Sequence, residues 1–168
     1  MKQELFKLIR KHHLNISIYT AEIFERRCQE EIIRSDEDQS SFVYLEFEFD
    51  EIKKIAQNDE DALKFWEVML EALNRNNRGS DILGFLENDT GLGMLLLDSK
   101  IEGWIRVRGR ILQHANSEGF KKATSILTAV VKPIVYPTCI ADAQDLKAIE
   151  AVSQELAAPV ESTESATA

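Results

Sequence analysis

The sequence predicts an α+β domain in which an antiparallel four-stranded sheet carries two helices on one face. Three observations predict it. Segment 42–51, FVYLEFEFDE, alternates apolar Val43, Leu45, Phe47 and Phe49 with polar Tyr44, Glu46 and Glu48, the period of a half-buried strand. Segment 61–76 places Phe65, Trp66, Met69, Leu70 and Leu73 on one stripe, wide enough for a helix to cover a side of that sheet. Between Arg78 and Ser99, the apolar runs of Ile82, Leu83, Leu86 and of Leu92, Met94–Leu97 flank the polar tip Glu87-Asn88-Asp89-Thr90-Gly91. Asn, Asp and Gly tolerate the left-handed backbone of tight turns, so this stretch reads as a β-hairpin.

The other elements follow in order. Residues 2–13 form a short amphipathic helix with Leu5, Leu8 and Ile9 on its stripe, and its terminal Lys and His residues suit the negative pole of the helix dipole. His12 and His13 are adjacent, so on a helix they point about 100° apart and do not converge on one metal ion. Thr20 caps a helix over 21–34, with Phe24, Cys28 and Ile32 as its buried stripe. Residues 35–41, SDEDQSS, read as a polar linker. After the hairpin, residues 101–115 make a helix whose stripe of Ile101, Trp104, Ile105, Ile111 and Leu112 also carries the stem of Arg108. SEGFKK breaks that pattern, and 125–136 is a β-rich run in which Pro133 marks an edge strand or a bulge. Asp142 caps a last helix to about residue 156. The order is βαββαβ with additional N-terminal helices, the ferredoxin-like arrangement. The sheet face carrying Glu46 and Glu48 is then open to solvent or ligand. The expected boundaries are an N-terminal helix over 1–19, a folded domain over 20–156 and a small, polar, disordered tail over 157–168.

Composition narrows the function. A chain of 168 residues, 44% hydrophobic and 29% charged, is enough for one globular domain. A net charge of -9 excludes a nucleic-acid polymer as partner, because neutralising phosphates takes clustered Lys and Arg. It leaves room for a small nucleotide served by one local cation. Cys28 and Cys139 form no C-x-x-C pair, so neither a zinc site nor a redox motif is expected, and the pattern fits a reducing cytoplasm. No apolar run is long enough for a signal peptide or a membrane span, which argues for a cytoplasmic protein without membrane insertion.

Several strings, in order, resemble the GGDEF domain of the diguanylate cyclases, over roughly residues 20–156. YTAEIFERRCQEEI is similar to the family's opening helix, and EFDEIK resembles its D-x-D-x-F-K strand end. RGSDILGFL resembles the R-x-x-D-x-x-G-R-L that leads to the signature; ENDTG stands at the signature itself; LLLDS and VKPIVYP resemble the segments that follow. The resemblance implies a nucleotide cyclase-like variant of the βαββαβ fold. The family makes cyclic di-GMP from two GTP molecules.

The departures fall on the catalytic parts. Glu87 and Asn88 stand where the family has paired glycines, which let the backbone approach a nucleotide without clash. Thr90 replaces the acidic fourth position, Phe85 replaces the preceding Arg, and Ala56 and Gln57 stand near the guanine-reading Asn-Asp pair. No diguanylate cyclase activity is therefore expected, and no catalytic residue is assigned. The resemblance leaves two remnants. Glu48 and Asp89 align near metal-binding carboxylates, a pair suited to Mg²⁺, although such sites draw the rest of their shell from substrate phosphates and no cofactor is expected. Arg78 and Asp81 match the R-x-x-D of the family's inhibitory site, where an Arg fork takes phosphate and an Asp accepts from guanine. The resemblance thus implies an inactive GGDEF-like regulatory or protein-interaction module in bacterial signalling, of the kind found beside surface-polysaccharide machinery. Its partner would be another protein, cyclic di-GMP or a second copy of the chain. The alternatives are a cyclic di-GMP receptor built on Arg78 and Asp81, and a ferredoxin-like domain that binds no nucleotide.

Overall fold

The structure, a computed structural model, describes residues 1–75 and 81–137. The chain runs α1 (Lys2–Lys11), β1 (Ile18–Tyr19), α2 (Ala21–Asp38), β2 (Phe42–Glu48), α3 (Phe49–Ala56), α4 (Asp59–Arg75) and β3 (Asp81–Phe85). A 3-10 turn at Glu87–Asp89 leads into β4 (Gly91–Leu97), α5 (Ile101–Ser117), α6 (Ala123–Val130) and β5 (Ile134–Tyr136). The sheet order is β1-β3-β4-β2-β5. Its last four strands are antiparallel neighbours throughout, which is the expected ferredoxin-like order. The fifth strand, β1, was not expected: Ile18 and Tyr19 lie parallel to Leu83 and Gly84, in a strand too short to show any sequence period.

One core fills the face covered by α1, α3, α4, α5 and α6. Val43, Leu45 and Phe47 of β2 meet Phe65, Trp66, Met69 and Leu70 of α4 and Trp104 of α5, all buried, with Ile105 packed at the margin. Trp66 is the hub: Phe47, Phe49 and Phe65 set their rings edge-on to it at centroid distances of 6.2, 5.4 and 5.6 Å. Arg108 is buried in this layer, and its guanidinium donates to the Thr128 hydroxyl at 2.8 Å.

Four expectations are corrected. Helix α2 does not stop at residue 34 but runs to Asp38, so most of the polar linker is helical; Ser35 is buried and its hydroxyl donates to the Ser40 carbonyl, while Arg34 reaches Asp98 at 2.9 Å. The strand ends at Glu48, not 51. Phe49, Ile52 and Ala56 are the buried positions of α3, so Phe49 keeps its burial while the period changes from two to helical. The first half of the β-rich run belongs to helix α6, whose Ala123, Ile126 and Leu127 are buried; only Ile134–Tyr136 after Pro133 is strand, and it lies at the sheet edge. Finally, the face opposite α4 and α5, expected to be open, is covered in part: helix α2 crosses it, and Phe24 packs there with Phe42, Ile82 and Leu95. Its stripe is unevenly covered: Phe24 is buried, Cys28 half-buried, and Ile32 is 38% exposed. The helix expected after Asp142 and the tail 157–168 lie outside the described residues.

Candidate functional site

Because side chains alternate along a strand, the residues of β2 that do not enter the main core, Phe42, Tyr44, Glu46 and Glu48, all stand on the α2 side. Helix α2 covers the β3–β4 half of that face and leaves a groove over the β2–β5 half, with a volume of about 710 Å³. Its apolar floor holds two stacked ring pairs, Phe24 with Tyr44 at 6.3 Å and Phe42 with Tyr136 at 5.2 Å. The hairpin tip closes one end through Leu86, Glu87, Asn88 and Thr90.

The electrostatics of the groove have one sign. Glu22, Glu25, Glu46, Glu48 and Glu87 line it, and among the described residues no Lys or Arg does. The hydroxyl of Tyr44 donates to Glu46 at 2.7 Å. Burial, reinforced by Glu46, pushes that hydroxyl's pKa well above its ordinary value. Burial first and Glu25 second push the Cys28 thiol up to about 11, so it stays protonated. A site of this kind opposes a phosphate group and favours a cation with an apolar body.

The tip itself is held tightly. Asn88 and Asp89 take the left-handed conformation, at φ 57° and 54°. The Asp89 amide donates to Leu86 and the Thr90 hydroxyl to the Glu87 carbonyl. Gly91 lies directly opposite Glu48, and a Cβ there would fall 2.4 Å from the Phe47 carbonyl oxygen, so close backbone approach requires glycine.

The residues singled out in the sequence are dispersed. Glu48 faces the groove. Asp89 turns to α1, where Lys2 pairs with it at 3.2 Å while also lying 4.6 Å from the Phe85 ring centre. Among the described residues neither carboxylate joins a group of three ligating side chains. Asp81 opens β3 beside a separate cleft of about 240 Å³ that also holds Arg106 and Arg110. Arg78 lies outside the described residues.

One cluster escaped the sequence reading. His12 at the end of α1 meets Glu67 at 2.6 Å and Glu71 at 3.4 Å on α4, and Glu71 reaches His114 on α5 at 2.8 Å. His12–Glu67–Glu71 and Glu71–His114–Glu118 each bring three ligating atoms within 4.8 Å. Lys64 already bridges the two groups, at 3.1 Å from Glu67 and 3.5 Å from Glu118, so the cluster works as a polar fastening between helices. Only the spacing of Glu67 and Glu71, one helical turn apart, hinted at it; the histidines come from distant elements.

The chain matches no protein-family model and no curated protein. Solved structures similar to it include the following. A DGC protein from Thermotoga maritima is 17% identical, with 82% of this chain and 95% of that chain covered and a TM-score of 0.40. The GGDEF domain of TpbB (YfiN) from Pseudomonas aeruginosa is 14% identical over 72% and 73%, with a TM-score of 0.42. The diguanylate cyclase SiaD from the same organism, in complex with its activator SiaC, is 13% identical over 81% and 54%, also at 0.42. A likeness at this level carries no argument about chemistry or role. Among the described residues no helix is long and apolar enough to cross a membrane.

Proposed function

We propose that this chain is a catalytically silent GGDEF-like module with a regulatory role in bacterial signalling, exerted through protein contact. The observation that carries the reading is the character of the groove beside the hairpin tip. Glu87 and Asn88 replace the glycines expected of a phosphate cradle, and five glutamates line the adjoining groove with no Lys or Arg among the described residues. The test is incubation of the purified protein with GTP and Mg²⁺ or Mn²⁺, followed by chromatography. The expected result is no cyclic di-GMP. Sustained product formation that disappears in Glu48→Ala overturns the reading.

A cyclic di-GMP receptor is the second reading, favoured by one observation: Asp81 shares its cleft with Arg106 and Arg110, which supply the cations a phosphate requires. Calorimetric titration with cyclic di-GMP separates the two. Heat of binding that is lost in both Arg78→Ala and Asp81→Ala supports the receptor; no heat up to high micromolar ligand removes it and leaves a module without nucleotide.

A further inference from the structure

We infer that the groove between α2 and the β2–β5 half of the sheet is the docking site for a basic amphipathic helix of a partner protein. The inference rests on the protein-contact reading above and gives that contact a place and a chemistry. Three features point to this occupant.

The first is an apolar seat left half covered. Helix α2 presents Phe24, Cys28 and Ile32 at successive turns, yet only Phe24 is fully packed; Ile32 is 38% exposed, and Ile134 on the facing edge strand is 51% exposed. Both isoleucines line the groove, so the exposed apolar surface is continuous with the seat. The second is length. The α2 wall runs from Ala21 to Ile32, which at 1.5 Å per residue is about 16 Å, or about three helical turns. A helix laid along it presents apolar side chains at matching spacing, the geometry of helix-in-groove recognition.

The third is charge. Glu22, Glu25, Glu46, Glu48 and Glu87 ring an apolar floor without a lining Lys or Arg among the described residues. Lysines or arginines flanking an apolar stripe would meet these carboxylates as the stripe seats, and the net charge of -9 steers such a partner in. The same argument disfavours the chain's own end. Residues 138–168 contain Asp142, Asp145, Glu150, Glu155, Glu161 and Glu164 against the single cation Lys147, so the groove repels them. A second copy, equally acidic, is disfavoured on the same ground.

The probe is a fluorescein-labelled four-turn peptide of leucine and lysine with the leucines on one helical face. Fluorescence anisotropy reads its binding to the full chain, and a photo-cross-linker on a central leucine position maps the contact. The expected result is saturable binding with cross-links to α2 and β2 residues of the groove. Replacing Glu25 and Glu48 by Gln should weaken binding about tenfold, since two exposed charge pairs are lost together. Replacing the exposed Glu60 and Glu102 by Gln removes the same charge elsewhere and should change it little. Ile32→Ser, an exposed position that leaves the core untouched, should also weaken it. No binding, equal weakening by both glutamate pairs, equal binding of a leucine–glutamate peptide, or cross-links outside the groove would each overturn the inference. So would a cross-link from residues 138–168 into the groove, or self-association abolished by Ile32→Ser. If the peptide fails while GTP stays unturned, this partner is lost and catalytic silence stands; if the peptide binds in the groove while GTP is turned over, the docking site stands and catalytic silence is lost.

Discussion

Gly84 and Gly93 stand directly opposite each other across the β3–β4 ladder, and together they form a bare patch on which the ring of Phe24 lies. A Cβ at Gly93 would come within 2.2 Å of Phe24 Cε1, at the far end of the ring; one at Gly84 would come within 2.3 Å of Phe24 Cβ, near the helix backbone. The seating of α2 on the sheet therefore depends on two absent methyl groups. Gly93→Ala and Gly84→Ala should each destabilise the protein by about 1–3 kcal/mol in urea denaturation. Phe24→Leu should recover part of the loss for Gly93→Ala, because it removes the ring end. It should recover little for Gly84→Ala, because leucine keeps Cβ and Cγ. Equal rescue of both would contradict this packing.

Phe65 is fully buried and edge-on to Trp66 in the main core. Phe65→Ala should cost roughly 3–5 kcal/mol by chemical denaturation. A loss under about 1 kcal/mol would mean that the site collapses or is not where it stands here.

Cys28 should be a slow nucleophile. Burial and then Glu25 raise its pKa to about 11, so at pH 8 the thiolate is scarce. Alkylation by iodoacetamide, read by peptide mapping so that Cys139 is scored separately, should be slower than for free cysteine and should rise steeply as pH approaches 11. Glu25→Gln should accelerate it at pH 8. A rate equal to that of free cysteine would refute the burial assigned to the thiol.

The fastening between α1 and α4 should loosen in acid. Burial raises the Glu67 carboxyl, but Lys64 and then His12 outweigh it and hold the pKa below its ordinary value of 4.5. A lowered carboxylate contributes stability that is fully present above its unfolded value and is lost as pH falls through the folded one. The midpoint of urea unfolding should therefore drop below about pH 4.5, and Glu67→Gln should flatten that fall while lowering stability at neutral pH. An unchanged acid limb in Glu67→Gln would show that other carboxylates set it.

What was legible in the sequence was whatever a local period writes down. Strand β2, helices α4 and α5 and the hairpin announced themselves through alternation, a wide stripe and turn chemistry. Thr20 capped α2 as expected, its hydroxyl accepting from the Ile23 amide at 3.5 Å. The run 125–130 is rich in β-branched residues, yet burial of Ala123, Ile126 and Leu127 against the core fixes it as helix, a tertiary override of propensity. The length of α2 was hidden because the residues SDED read as linker until Arg34 finds Asp98 and Ser35 finds Ser40. The groove was half legible: alternation put Glu46 and Glu48 on the free face, but nothing local could show that α2 would cover only part of it. The pairing of Glu48 with Asp89 comes from the resemblance alone, and no local pattern could show that Lys2, more than half the chain away, pairs with Asp89.

The placement of β2 between β4 and β5 has a consequence for how the protein is made. Tyr44 pairs with Leu95 on one flank and with Ile134 on the other, both encoded far downstream. The β3–β4 hairpin is local and can close early, but the central strand emerges from the ribosome long before either neighbour and must close two long loops to be flanked. Helix α4 follows soon after and can cover its apolar face, but the strand's two edges stay unpaired through that interval, so the nascent chain is most open to edge-to-edge aggregation before residue 136 is synthesised. The glutamates at 46 and 48, on the opposite face of the same strand, then act as gatekeepers during synthesis.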